Sequence, residues 1–272
     1  MSLAACGRAA ILVIALVSLV GCGGGLPLLH PAHVERQGSV SFAAGVTGQI
    51  VTGDAASKLT QAREQSAPGA APPPSSADDY RKGALVVAAL APGVSPFVAA
   101  RVGLGWQSEG GLTYSGRSLR LDARHAWQDE SWALSVGLGG QALLARPGSE
   151  PAQSLAGLDL QGVSGYGFDV PIVGGWRSQG GLLSVWAGLR IGHEQQHGSI
   201  TLGDPRGSGT VDWSARRWWG GGLFGLMAGF RHVFVALEID VAYHDARATA
   251  GADLIKIHGL TMAPGAALLS RF

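Results

Sequence analysis

The chain is poor in charge and almost lacks lysine. Lys58, Lys82 and Lys256 are its three lysines, and charged residues make up 14% of the 272 positions. An average soluble domain carries about 25%. Twenty basic side chains face nineteen acidic ones, for a formal net charge of +1. That balance leaves no electrostatic footprint for nucleic acid. Cysteine is nearly absent too: Cys6 and Cys22 are both close to the N-terminus. The body of the chain therefore carries no disulfide framework and no cysteine-based metal site. After Cys22 no apolar run reaches 18 residues, so no transmembrane helix is expected there. Glycine, by contrast, is abundant, at 43 positions. It shows no period of three, which excludes a collagen helix. A hydrophobic fraction of 46% is too high for a disordered chain.

Arg8 is the one charge before an apolar run from Ala9 to Val20. The run is too short to span a bilayer and has the length of a signal-peptide core. It ends in Leu19-Val20-Gly21-Cys22, followed by three glycines. This segment resembles a bacterial lipobox. The resemblance implies cleavage before Cys22 and diacylation of its thiol. Gly23, in place of an aspartate, implies export onward to the outer membrane. The expected organisation is a signal peptide over 1–21, a lipid-anchored linker over 22–36, and one folded body over 37–272.

That body alternates with period two. In Val233–Tyr243, Val233, Val235, Leu237, Ile239, Val241 and Tyr243 share one face, and Glu238 and Asp240 lie on the other. A strand separates these sets and a helix mixes them. The same alternation runs through Val40–Val46, Val98–Trp106, Leu119–Ala123, Trp132–Leu138, Tyr166–Ile172 and Leu183–Ile191. About ten strands follow, near 38–50, 83–92, 95–107, 111–126, 131–146, 165–177, 181–193, 215–230, 233–247 and 254–272. Polar connections are expected at 51–82, 147–164 and 194–212. The first, rich in Ala, Pro, Ser and Gln, reads as disordered. The long connections fall at one end, and most strands have the roughly 9–11 residues that a tilted bilayer crossing needs. Aromatics sort toward both ends: Trp106, Tyr114, Trp213, Trp218, Trp219 and Tyr243 toward the long loops, and Trp127, Trp132, Trp176, Phe230 and Phe272 toward the short turns.

With its apolar face outward, its glycine and charge inward, and a terminal Phe272, the chain resembles bacterial outer-membrane β-barrel proteins, in a lipid-anchored form. The resemblance implies an all-β, closed antiparallel transmembrane barrel of about ten strands. It also implies outer-membrane lipid and the barrel-assembly machinery as partners, and a Gram-negative outer membrane as location. The N-terminus would then be anchored on the periplasmic side. Ser270 and Pro264 depart from the usual terminal-strand pattern. The soluble alternative is a glycine-rich sandwich or barrel, but its polar face here is small and glycine-dominated, a poor aqueous surface.

Three constellations bear on chemistry. Arg101, Arg120, Arg124 and Arg190 face the lumen side with Asp122, Asp169, Glu238 and Asp240. Such a set either lines a selective pore or fills a narrow barrel with ion pairs, and filling is favoured. His193-Glu194-Gln195-Gln196-His197 matches the zinc-peptidase pattern, but that chemistry needs a helix. Gly192 and Gly198 bracket the motif, and on a strand the two histidines stand about 13 Å apart. A polar outer loop is the expectation there. His244, Asp245 and His258 form a candidate rim site. The expected function is non-catalytic: a structural, interaction or passive small-solute role, with no cofactor and no metal. The competing class is a membrane hydrolase at one of the two histidine sites.

Overall fold

The computed structural model describes residues 25–66, 76–144, 155–204 and 207–272. The signal and lipobox readings, including Cys22, lie outside them. Ten strands form one closed antiparallel barrel: β1 Val40–Thr52, β2 Gly93–Gly105, β3 Ser108–Tyr114, β4 Ser118–Gln128, β5 Trp132–Leu143, β6 Asp159–Arg177, β7 Leu183–Asp204, β8 Gly207–Phe230, β9 Val233–Ala250 and β10 Asp253–Arg271. Each strand pairs with the next, and β10 closes on β1 from Ser41↔Arg271 to Thr52↔Leu260. Closure leaves no free edge through the band where all ten strands pair, so the ladder groups there find partners within the sheet, whereas β6 above Gly165 and β10 above Leu260 rise past their shorter neighbours.

The strand number agrees with the alternation, but two strands are placed differently. Residues 83–92 are not a strand. Helix α1 spans Gly53–Gln65, helix α2 spans Ser76–Leu85, and a single π-helical turn follows over Val86–Leu90. Val86 to Leu90 are all buried, and a segment covered on every side shows neither period. The described parts of 51–82 are likewise largely helical, not disordered. In compensation, the expected strand 111–126 is two strands. Gly116, at φ +70°, turns the chain between β3 and β4. Trp106 and Gln107, both at positive φ, form the tight turn between β2 and β3. That turn places Trp106 at the short-turn end, not the long-loop end.

The short-turn end holds the connections at 106–107, 129–131, 178–182 and 231–232. The opposite end holds α1, α2 and the long connection at 144–158. The wall is uneven in height. β1 to β5 have 7 to 13 residues, and β6 to β10 have 18 to 24. The expected loop 194–212 is mostly strand, belonging to β7 and β8.

Two cores result. Above, α1, α2 and the π-turn pack on the inner face of the tall strands. Leu59, Tyr80, Leu85 and Leu90 meet Ile200, Leu202, Trp213, Ala248, Ile255 and Ile257. Below, the lumen is charged and is threaded by the N-terminal segment. Residues 25–36 do not form an external linker. They run inside the barrel from Ser115, in the β3–β4 turn, to the short-turn end, where Gln37 bridges Gly103. Leu26, Leu28, Leu29, Ala32 and Val34 are buried there.

Candidate functional site

Arg101, Arg120, Arg124, Arg190, Asp122, Asp169, Glu238 and Asp240 are all buried. Alternation positions them: Arg120, Asp122 and Arg124 succeed one another on the inner face of β4, as Glu238 and Asp240 do on β9. Six of them, joined by Glu109, form a relay across the barrel. Glu109 pairs with Arg101 and, at 3.0 Å, with Arg124. Arg101 reaches Asp122 at 2.6 Å, and Asp122 pairs with Arg120 at 2.7 Å. Arg120 and Arg190 share Asp169 at 2.8 and 2.9 Å. Glu109, Asp122 and Asp169 thus each meet two guanidiniums, the condition under which buried charge is tolerated, whereas among the described residues no arginine pairs with Glu238 or Asp240.

The same groups hold the N-terminal segment. Its backbone enters the lumen without a strand partner, so its polar groups need side chains. Glu238 accepts the Leu28 and Leu29 amides and the Trp186 indole N–H. Arg124 donates to the carbonyls of Pro31 at 2.6 Å and His33 at 3.1 Å. Arg190 donates to the Leu26 carbonyl. Gln128 and Glu109 accept the Val34 and Glu35 amides, each at 2.8 Å.

Four lumen charges escaped the sequence reading. Glu109, Arg117, Glu194 and Arg217 are buried there as well. Glu194 accepts from Arg117 at 2.5 Å and Arg217 at 2.6 Å. Arg117 also donates to the Ala88 and Ala89 carbonyls, tying the helical cap to the charged layer. Extending the Arg190-x-Gly192-x-Glu194-x-Gln196 alternation two steps further would have placed Glu194 inside.

Glycine makes this filling possible. A Cβ on Gly139 would stand 2.4 Å from the Arg120 guanidinium, and one on Gly111 2.6 Å from that of Arg101. Cβ atoms on Gly192 and Gly225 would strike the indoles of Trp219 and Trp186 at 2.5 and 2.2 Å. Inward glycines are therefore sockets for large inward side chains on the neighbouring strand. What remains are cavities of about 10 Å³ each, room for about one water apiece.

The histidine motif lies within β7, on a strand, not in a loop. His193, Gln195 and His197 face outward, while Glu194 is buried inward. The glutamate therefore stands on the opposite side of the sheet from both imidazoles, which rules out the zinc-peptidase arrangement. The His193 ring packs 4.3 Å from that of Trp218. The rim triad is split in the same way. His244 faces inward against Thr261 at 2.7 Å. Asp245 and His258 lie outside, 3.7 Å apart, and Asp245 also pairs with Arg247 at 3.1 Å.

No protein-family model matches the chain, and no curated protein does. Among solved structures it is similar to Neisserial surface protein A, with 10% identity and a TM-score of 0.35, over 87% of this chain and all of that one. It is similar to Ail, the attachment invasion locus protein of Yersinia pestis, with 13% identity and a TM-score of 0.28, at the same coverage. A third is the translocator domain of the autotransporter NalP from Neisseria meningitidis, with 11% identity and a TM-score of 0.31, over 99% and 96% of the two chains. The barrel assignment rests on the closed strand pairing of this chain, not on these likenesses.

Proposed function

We propose that this chain is a non-catalytic outer-membrane β-barrel with a permanently filled lumen, serving a structural or interaction role. One observation carries the membrane reading: the strands invert their polarity part-way up. On β9, Val235, Leu237, Ile239, Val241 and Tyr243 face out while Glu238 and Asp240 face in. Higher on the same strand, Asp245, Arg247 and Thr249 face out while Ala246, Ala248 and Ala250 face in. A barrel surrounded by water would keep its polar face outside along its whole length. An apolar exterior below and a polar one above fit a lipid-to-water boundary at that height. Exposed Trp127, Trp132, Phe230 and Phe272 supply a lower aromatic girdle, and Tyr166, Trp218 and Tyr243 an upper one.

The ion-pair relay and the threaded segment favour filling over a passive conduit. The test is reconstitution in planar bilayers. The chain should float with lipid vesicles, migrate faster unheated than heated on a denaturing gel, and show no conductance steps. Failure to insert would overturn the membrane reading, and regular steps would overturn the closed lumen.

Cleavage before Cys22, diacylation of that residue and delivery by the barrel-assembly machinery through Phe272 belong to the same proposal. The lipobox supports the first two. Gly25 lies against Ser115 at the long-loop end. Three residues reach about 10 Å, whereas the 11 residues of β4 separate the two ends by about 25–30 Å after tilt. We infer that a lipid on Cys22 would anchor the chain nearer the long-loop end than the short-turn end. Intact mass of the mature chain should show a diacylglyceryl adduct that Cys22→Ala removes.

A further inference from the structure

On the outer face of the tall wall, three cations stand in one row. Arg216 on β8 is the register partner of Arg247 on β9, and Arg247 is the register partner of Lys256 on β10. Like charges directly opposite each other destabilise a sheet. Asp245 offsets one of them, at 3.1 Å from Arg247. Among the described residues neither Arg216 nor Lys256 has a carboxylate within 4 Å. His193, Gln195 and Thr249 flank the row, and together these side chains border an open groove of about 600 Å³. A smaller recess of about 200 Å³ lies among Arg216, Trp218, Asp245 and Arg247.

The height of the row selects its ligand. Trp218 lies two residues below Arg216 on the same face, and Tyr243 two below Asp245. Two strand residues rise about 6–7 Å. The cations therefore sit just above the aromatic girdle and the apolar belt, at the level of lipid headgroups. Two guanidinium forks and an ammonium suit phosphate oxygens, which accept bidentate hydrogen bonds from arginine and a point charge from lysine.

We propose that Arg216, Arg247 and Lys256 bind the phosphate groups of a phosphorylated glycolipid headgroup in the leaflet at the long-loop end. Its sugar would rest in the groove, and its acyl chains would descend over the apolar exterior of β8 to β10. This inference rests on the membrane reading above.

The experiment uses the full chain reconstituted in phosphatidylcholine vesicles with and without bis-phosphorylated lipid A. Lipid A retained per protein after detergent extraction is then measured. Wild type and Lys256→Arg should retain it. The double variant Arg216→Gln/Lys256→Gln should retain at least about a hundredfold less, the loss expected of two charge-assisted contacts. Its unheated gel mobility should match wild type, which shows that the barrel is intact. Equal retention by the double variant overturns the proposal. So does displacement by inorganic phosphate, which would mark a free-phosphate site, and so does equal retention of dephosphorylated lipid A, which would mark acyl-chain contact alone. A chain that does not enter vesicles overturns the membrane reading itself, whereas an inserted barrel that ignores these substitutions overturns only the headgroup site.

Discussion

The short wall of β1–β5 and the tall wall of β6–β10 solve different problems with the same alternation. The short wall spans the apolar belt and little more. Its inner face is arginine and carboxylate, as at Arg101, Glu109, Arg120 and Asp122, and its outer face is apolar, as at Leu104, Leu112, Leu119 and Leu121. The tall wall begins the same way. It then rises past the girdle, and there the roles exchange: Ala246, Ala248, Ile255 and Ile257 turn inward onto the helices while Arg247 and Lys256 turn outward. The lesson is that side-chain polarity tracks the medium beyond the wall, not the inside or outside of the barrel. Where the outside is apolar, the interior combines paired charge with an apolar cluster around Phe97, Trp186, Leu223, Met227 and Phe234. Where the outside is wet, the interior reverts to an ordinary apolar core.

The largest test of this contrast is in the charged layer. Asp169→Ala leaves Arg120 and Arg190 buried around a vacated carboxylate site. It should destabilise the barrel by about 3–5 kcal/mol, the usual result of breaking a buried ion pair, read from urea unfolding in lipid vesicles. A loss near zero would mean that the lumen is wet enough to solvate both arginines.

The second test places one charge at two heights. Leu237→Arg, on the outer face of β9 within the apolar belt, should cost about 2–4 kcal/mol. Thr249→Arg, six residue pairs higher on that face of the strand, should stay within about 0.5 kcal/mol. Equal costs at the two sites would erase the lipid boundary drawn from the polarity inversion.

The smallest effect concerns the short-turn end. In the β4–β5 turn, Asp129 accepts the Ser131 and Trp132 amides at 2.7 and 2.8 Å. These hydrogen bonds hold its carboxyl below the usual range. Because the folded value is depressed, the stabilisation is present above the unfolded value of about 3.9 and is lost as pH falls through the folded one. The urea midpoint of wild type should therefore approach that of Asp129→Asn as the medium is acidified below about pH 4. A gap between them that does not change with pH would remove the charged turn from the account.

Alternation made much of the barrel legible, because a two-residue period needs no knowledge of partners. Arg120, Asp122 and Arg124 could be turned inward from β4 alone. The errors arose where local pattern fails. Val86–Leu90 is buried on all sides and so carries no period. Residues 194–212 read as a polar loop because their outward positions are polar and their inward ones change from Glu194 and Gln196 to Ile200 and Leu202, so no single polarity alternates through the segment.

The two-residue period, the paucity of charge and the wealth of glycine were properties of the sequence. They determined an all-β wall with an apolar exterior, because each follows from neighbours along the chain. Which carboxylate meets which arginine depended on contacts between strands, as between Arg120 and Asp169, and that residues 25–36 run through the lumen depended on contacts between residues 90 or more positions apart, as between Arg124 and Pro31 or Leu29 and Glu238. The row of Arg216, Arg247 and Lys256 likewise exists only once strand register sets three separate cations side by side. Periodicity is local, whereas register and threading are set by closure of the whole barrel.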